Sequence, residues 1–256
     1  MSFAHNDGVK IGYEVEGEGP PLVLMHGTSG TREVWRRNGV VDALKSKYLL
    51  ILVDARGHGE SDKPHQPSAY LPEPKAKDVT AVLDQLAIES AHYLGYSMGG
   101  RFGFDLCTVA PERMRSLVAG GAGPSPTPMY GAWRMFSENS LEDLLKNGFL
   151  RIPEEGRREF LANDIEALRA SLHPSILDEE DVYTAALIEF PKPALLFAGS
   201  EDPRHDDARA IVARMRNAEF LSLDGLDHGG AFTAVDRFLP RVTKFLDEVE
   251  HGSRVT

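Results

Sequence analysis

The chain has 256 residues, 42% hydrophobic and 26% charged, with 28 basic against 39 acidic side chains and a formal net charge of −11. That length supports a full buried core, and the acidic balance argues against a polyanionic partner, because nucleic-acid affinity rests on phosphate neutralisation by basic residues. A single cysteine, Cys107, rules out an intramolecular disulfide and fits a reducing compartment.

The opening residues carry no basic flank ahead of an apolar run, so no secretory signal is expected. No apolar stretch reaches the roughly 18 residues of a spanning helix. A soluble, cytoplasmic chain with no membrane partner is the expectation. "VKIGYEVEGEGPP" reads as one or two antiparallel strands closed by a Gly-Pro turn, and "TREVWRR" as solvated helix charge. Short apolar runs follow at 22–25, 49–53, 92–96, 116–120, 194–198 and 219–223, several with turn residues directly behind them. This is the pattern of strands buried on both faces.

Between the runs, Val79, Val82, Leu83 and Leu86 fall at helical spacing, and Phe238, Val242, Phe245, Leu246 and Val249 repeat the pattern near the C-terminus. Cys107 shares a stripe with Phe102, Leu106 and Ala110 and reads as core packing. Strands alternating with helices predict an α/β fold with a mainly parallel sheet. The rhythm breaks between the proline-rich "GPSPTPMYG" and "FPKPALLF", where Leu141, Leu144 and Leu145, and then Leu161, Ile165, Leu168 and Leu172, mark helices without strands. The expected division is therefore a core of 1–122 and 192–256 with a helical cap at 123–191.

The chemistry-bearing residues share a position: each follows a predicted strand. His26-Gly27-Thr28 follows 22–25, Asp54 follows 49–53, Ser97 follows 92–96, Asp202 follows 194–198 and His228 follows 219–223. In an open parallel sheet these all lie on the carboxyl edge, where ligands bind. Gly95-Tyr96-Ser97-Met98-Gly99 suits a sharp strand-to-helix turn, whose crowding leaves no room for side chains at the two glycines. A serine hydroxyl needs a base, and His228, between the last strand and last helix with Gly229 and Gly230 behind it, is best placed. Asp202 in "FAGSEDP" is the expected orienting carboxylate, with Glu201 and Asp227 as competitors. Asp206 and Asp207 read as helix N-terminal charges. The backbone N–H groups of Met98 and Thr28 are the expected oxyanion donors. His26 and His58 read as loop-bracing residues, and His92 lies at the wrong end of its strand for chemistry.

Together, "HGTSG" at 26–30, "DARGHGESDKP" at 54–64, "GYSMGG" at 95–100, "GSEDP" at 199–203 and "DHGG" at 227–230 resemble the α/β-hydrolase superfamily, in the order serine, acid, histidine. The resemblance implies an eight-stranded, mostly parallel sheet, a helical cap after the sixth strand, and no cofactor. It also implies that Asp54 and Arg56 sit in a mainly structural loop. Serine at the elbow argues against the haloalkane dehalogenases and epoxide hydrolases, which use a carboxylate there. No histidine or cysteine pair has zinc-ligand spacing, and "GEGPP" and "HGTSG" match no nucleotide-binding loop.

The expected activity is hydrolysis of a small or medium carboxylic ester or lactone through an acyl-enzyme. Carbon–carbon bond hydrolysis and cofactor-free perhydrolase (haloperoxidase) chemistry are alternatives on the same machinery, and a ligand receptor with slow hydrolysis is a third. Trp133, Met135, Phe136, Phe149 and Phe160 are the candidate pocket-lining residues, and each reads equally well as packing within the cap.

Overall fold

The computed structural model describes residues 1–147, 152–176 and 180–252. Its strands are β1 Ser2–Asn6, β2 Val9–Glu16, β3 Pro21–Met25, β4 Leu49–Val53, β5 Ala91–Tyr96, β6 Met114–Gly120, β7 Ala194–Gly199 and β8 Ala218–Leu223. They form one sheet in the spatial order β1-β2-β4-β3-β5-β6-β7-β8. β2 runs antiparallel to β1 and β4, and the pairs from β4 through to β8 are parallel.

Helices α1 Val34–Arg37, α2 Val40–Leu44, α3 Pro72–Gln85 and α4 Met98–Val109 belong to the first half of the chain. Between β6 and β7 lie α5 Thr127–Glu138, α6 Leu141–Lys146, α7 Glu154–Leu161, α8 Ile165–Ser171 and α9 Glu180–Glu189, with no strand among the described residues there. α10 His205–Val212 precedes β8, and α11 His228–Thr233 and α12 Val235–Glu250 follow it.

Period-two alternation explains the layering. In β3 all five residues are buried. Val23 and Met25 join the core on the side of α3 and α4, whereas Leu22 and Leu24 join the core packed by α2 and α12. Each fully buried aliphatic side chain of this kind contributes about 1.5–3 kcal/mol relative to exposure, so the sheet is stabilised from both faces. The α3 stripe of Val79, Val82 and Leu83 and the α12 stripe of Phe238, Val242, Phe245 and Leu246 are buried as their spacing predicts. Cys107 is buried, its thiol 3.7 Å from Met114 Sδ, and burial pushes that thiol well above its ordinary pKa. β3 connects to β4 on one side, while β5 lies on its other side, so the strand order reverses here. Such a reversal opens a crevice at the carboxyl ends of the strands.

Three local readings differ from the structure. The first strand, Ser2–Asn6, precedes the predicted hairpin and pairs with β2 through a turn at Asp7-Gly8, both at positive φ (47° and 83°). It is an edge strand with only Ala4 and Asn6 buried, so its hydrophobic signal is thin. The arginines of "TREVWRR" are paired rather than freely solvated: Arg32 with Asp54 and Glu14, Arg36 with Glu14, Glu16 and Glu33, and Arg37 with Glu159. Leu161 is exposed, because α7 ends there and Asp164 caps a new helix by accepting from the Glu166 and Ala167 amides.

No described helix is long and apolar enough to cross a membrane.

Candidate active site

Ser97 stands between β5 and α4 at φ 57°, ψ −116°, a conformation that non-glycine residues rarely adopt. Its amide donates to Gly120 O at 2.7 Å, and its carbonyl accepts from the Arg101 amide, which anchors both sides of the turn. The flanking glycines are dictated by contact. A Cβ on Gly95 would lie 2.2 Å from Gly99 O, and one on Gly99 would lie 2.2 Å from Met25 O. The elbow therefore seats itself against the loop that follows β3, where a Cβ on Gly27 would lie 3.4 Å from Ser97 Cβ.

The β7 and β8 ends supply the other two groups. Asp202 follows β7 and is fully buried, while the His228 side chain is about a third exposed (32%). Asp202 Oδ2 accepts from His228 Nδ1 at 2.5 Å, and His228 Nε2 lies 2.9 Å from Ser97 Oγ. The carboxylate fixes the tautomer: with the proton on Nδ1, Nε2 is free to accept from the serine hydroxyl. Burial pushes the Asp202 carboxyl up, but the His228 hydrogen bond and the charges of His228 and Arg204 outweigh it, so its pKa is lowered overall. A carboxylate held ionised in this way stabilises an imidazolium.

His228 opens the short α11 rather than sitting in free loop, and Asp227 caps that helix by accepting from the Gly230 amide. Asp227 is thereby turned to the helix end, and Glu201 is exposed, so neither competitor makes the Asp202 contact. Tyr96 adds a support that motif reading missed. Its hydroxyl donates to His228 O at 2.6 Å, and its ring centroid lies 5.2 Å from the imidazole. The signal was present as the variable residue of the G-x-S-x-G string, but nothing local reveals a partner 132 positions away.

Met98 opens α4, so its amide is one of the helix N-terminal donors. Thr28 lies in the loop after β3, half-buried. His26 accepts from the Ala55 amide at 3.1 Å, and His58 packs against it with ring centroids 5.1 Å apart, as bracing residues would. Asp54 binds Arg32 and the amides of Arg32 and Glu60, and Arg56 binds Asp78 with both Nε and Nη2. These contacts hold the 54–64 loop. His92 meets Ser116 and Glu250 at the opposite end of its strand. Asp207 does more than charge a helix N-terminus: it accepts from the Ser125 amide at 2.9 Å, while Arg101 donates to the carbonyls of Gly123, Pro124 and Ser125. The entry to the helical insert is clamped from α4 and α10.

Four of the five candidate lining residues take part in packing within the insert. Phe136 and Phe160 are buried with Leu144, Leu168 and Leu172 in a core that belongs to the insert, and Met135 packs against it. Trp133 packs against the same core and meets His173 edge to face at 6.2 Å. Phe149 lies outside the described residues. Short helices need their aromatic residues to hold one another, which leaves fewer for a pocket. The small cavity beside Met98 is lined instead by Arg101, Met129, Tyr70, Ile176 and Tyr183, among others.

With this geometry in hand, comparison with known proteins gives three findings. A family model described as "alpha/beta hydrolase fold" matches residues 20–150. The 2-hydroxy-6-oxononadienedioate/2-hydroxy-6-oxononatrienedioate hydrolase of Burkholderia vietnamiensis is 31% identical over 93% of this chain and 91% of its own. A solved hydrolase from Pseudomonas aeruginosa PA01 superposes with a TM-score of 0.83 at 26% identity, covering 96% of this chain and 97% of that one. The chain spans less than half, 43% to 45%, of the length of several other curated relatives. Among them is the pimeloyl-[acyl-carrier protein] methyl ester esterase of Aeromonas hydrophila, 37% identical over 45% of this chain.

Proposed function

The chain belongs to the α/β-hydrolase-fold family, and from that premise we propose that it is a serine hydrolase cleaving a small or medium carboxylic ester or lactone. The observation that carries this reading is the hydrogen-bonded line Ser97–His228–Asp202, converging on one sheet edge with the serine at a strained strand-to-helix turn. Helices α5 to α8 act as the cap over that edge, while α9 of the expected 123–191 cap packs through Tyr183, Leu187 and the following Phe190 into the core beside the sheet.

In this mechanism Ser97 Oγ attacks the acyl carbonyl carbon while its proton passes to His228 Nε2. The Met98 and Thr28 amides receive the oxyanion, and Asp202 steadies the imidazolium through Nδ1. The carbonyl re-forms, the bond to the leaving oxygen breaks, and His228 gives that oxygen its proton. Water then yields a proton to Nε2 as its oxygen attacks the acyl carbon. Collapse of the second tetrahedral species releases the carboxylic acid and returns the proton to Ser97. For a lactone, alcohol and acid leave as one hydroxy acid. The groups that act in these steps all belong to the protein or to water.

Turnover of p-nitrophenyl esters by the wild type and by Ser97→Ala tests the reading. Loss of the nucleophile lowers kcat about 10⁴-fold or more; a variant that keeps full turnover overturns the assignment. A second reading, carbon–carbon bond hydrolysis by the same residues, is favoured by the Burkholderia vietnamiensis relative, whose named substrate contains no ester or lactone. An oxo-dienoate cleaved faster than any ester would select it.

A further inference from the structure

Arg204 has no part in the steps above, yet it sits on the proposed triad. Its amide donates to Asp202 Oδ1 at 3.0 Å, and Nη1 lies 3.5 Å from both Asp202 Oδ1 and His228 Nδ1. Nδ1 carries the proton bound by Asp202, so the guanidinium and the imidazole present N–H groups to each other and cannot bond. Once His228 takes the serine proton, two cations share one buried carboxylate. On its outer side Nη2 meets Met129 Sδ at 3.8 Å, a weak acceptor for a charged donor. The side chain is only 13% exposed. Met129 also lines the cavity beside Met98, and a second buried guanidinium, Arg101, lines the same cavity. Arg101 donates to three carbonyls and stacks on the Tyr183 ring at 4.7 Å. Asp207, near Arg101, is held on the Ser125 amide. Two buried guanidiniums, each with a carboxylate close by, thus stand on the insert side of Ser97: Arg204 beside Asp202 and Arg101 beside Asp207.

We propose that Arg204 is a specificity-determining residue that selects an acyl group ending in a carboxylate, such as the monoester or lactone of a dicarboxylic acid. This rests on the Ser97 acyl-transfer reading. The substrate carboxylate replaces the flexible Met129 thioether on the guanidinium, exchanging a weak acceptor for a charge-assisted hydrogen bond. It also cancels the charge that opposes the imidazolium, so an anionic substrate gains in kcat as well as in KM.

The experiment compares mono-p-nitrophenyl adipate with p-nitrophenyl hexanoate, esters of equal chain length that differ in terminal charge. For the wild type, kcat/KM favours adipate by about tenfold or more, as one charge-assisted hydrogen bond allows. In Arg204→Met that ratio collapses to about one, and kcat for hexanoate rises as the repulsion is removed; Arg204→Lys recovers part of the ratio. A wild type without the preference overturns the proposal, as does an Arg204→Met enzyme slowed equally on both esters, which marks a structural role. Calorimetric binding of monomethyl adipate and methyl hexanoate to the Ser97→Ala protein reads the charge preference without turnover. Serine-dependent hexanoate turnover with no adipate preference in rate or binding overturns this proposal alone. Serine-independent turnover overturns the acyl-enzyme reading, and the binding ratio then still decides the role of Arg204.

Discussion

At φ 57° Ser97 occupies backbone space that its neighbours impose, and the glycine positions show how tightly. A methyl group on Gly99 meets Met25 O at 2.2 Å and His26 O at 2.6 Å, two carbonyls fixed by the sheet and its following loop. Gly99→Ala is therefore expected to cost about 1–3 kcal/mol of stability through overpacking. It should also lower kcat about 100-fold through misplacement of the nucleophile against the Thr28 amide. Urea melts beside ester turnover read both effects; an alanine variant of wild-type stability and rate contradicts the contact argument. The sequence made these glycines legible because a sharp turn has few solutions. Arg204 was not legible, since its meaning depends on His228 and Met129, which lie 24 and 75 positions away.

Among the elements, the parallel strands are legible to within two residues; β3 to β7 are apolar runs buried on both faces, the strongest signal a short strand emits, while the part-buried edge strand β8 shows through its Phe220-Leu221 and Leu223. β1 escapes the same reading because this edge strand buries only Ala4 and the polar Asn6 and leaves its one large apolar side chain, Phe3, exposed. The helical insert shows the same limit at larger size. Leu161 and Ile165 have helical spacing, yet the Asp164 cap divides them between α7 and α8. Pattern fixes neither where short helices break nor which aromatic residues they keep for their own core, so Phe136 and Phe160 read equally as pocket lining or as packing, and in the structure they hold the insert together. Contacts between insert and core are likewise nonlocal: Glu159 of α7 accepts from Thr31 Oγ1 at 2.7 Å and from Arg37 at 2.6 Å, which ties the insert to the loop beside the proposed oxyanion donors.

Across the whole molecule, three buried histidines outside the proposed triad set an acid limit on stability. Burial lowers the pKa of His26 and His92, and lowers that of His58 from 6.5 to about 3, with the nearby His26 adding to the effect at His58. The unfolded chain protonates these rings below about pH 6.5, while the folded chain keeps them neutral. The unfolded state therefore binds more protons, and stability falls as pH drops through that range, being fully present above it. His58 alone accounts for about 2 kcal/mol between pH 7.5 and 5. Unfolding free energies at pH 7.5 and pH 5 should differ by at least that amount, and His58→Gln should flatten the slope. A pH-independent stability across this interval contradicts the account.

The central claim is that Ser97 is a nucleophile activated by His228, and labelling with a fluorophosphonate followed by intact-mass and peptide analysis tests it most directly. The account predicts one phosphonyl group per chain, located on Ser97, lost in Ser97→Ala and slowed about 10³-fold or more in His228→Ala. Absence of label in the wild type, or label on another residue, contradicts it.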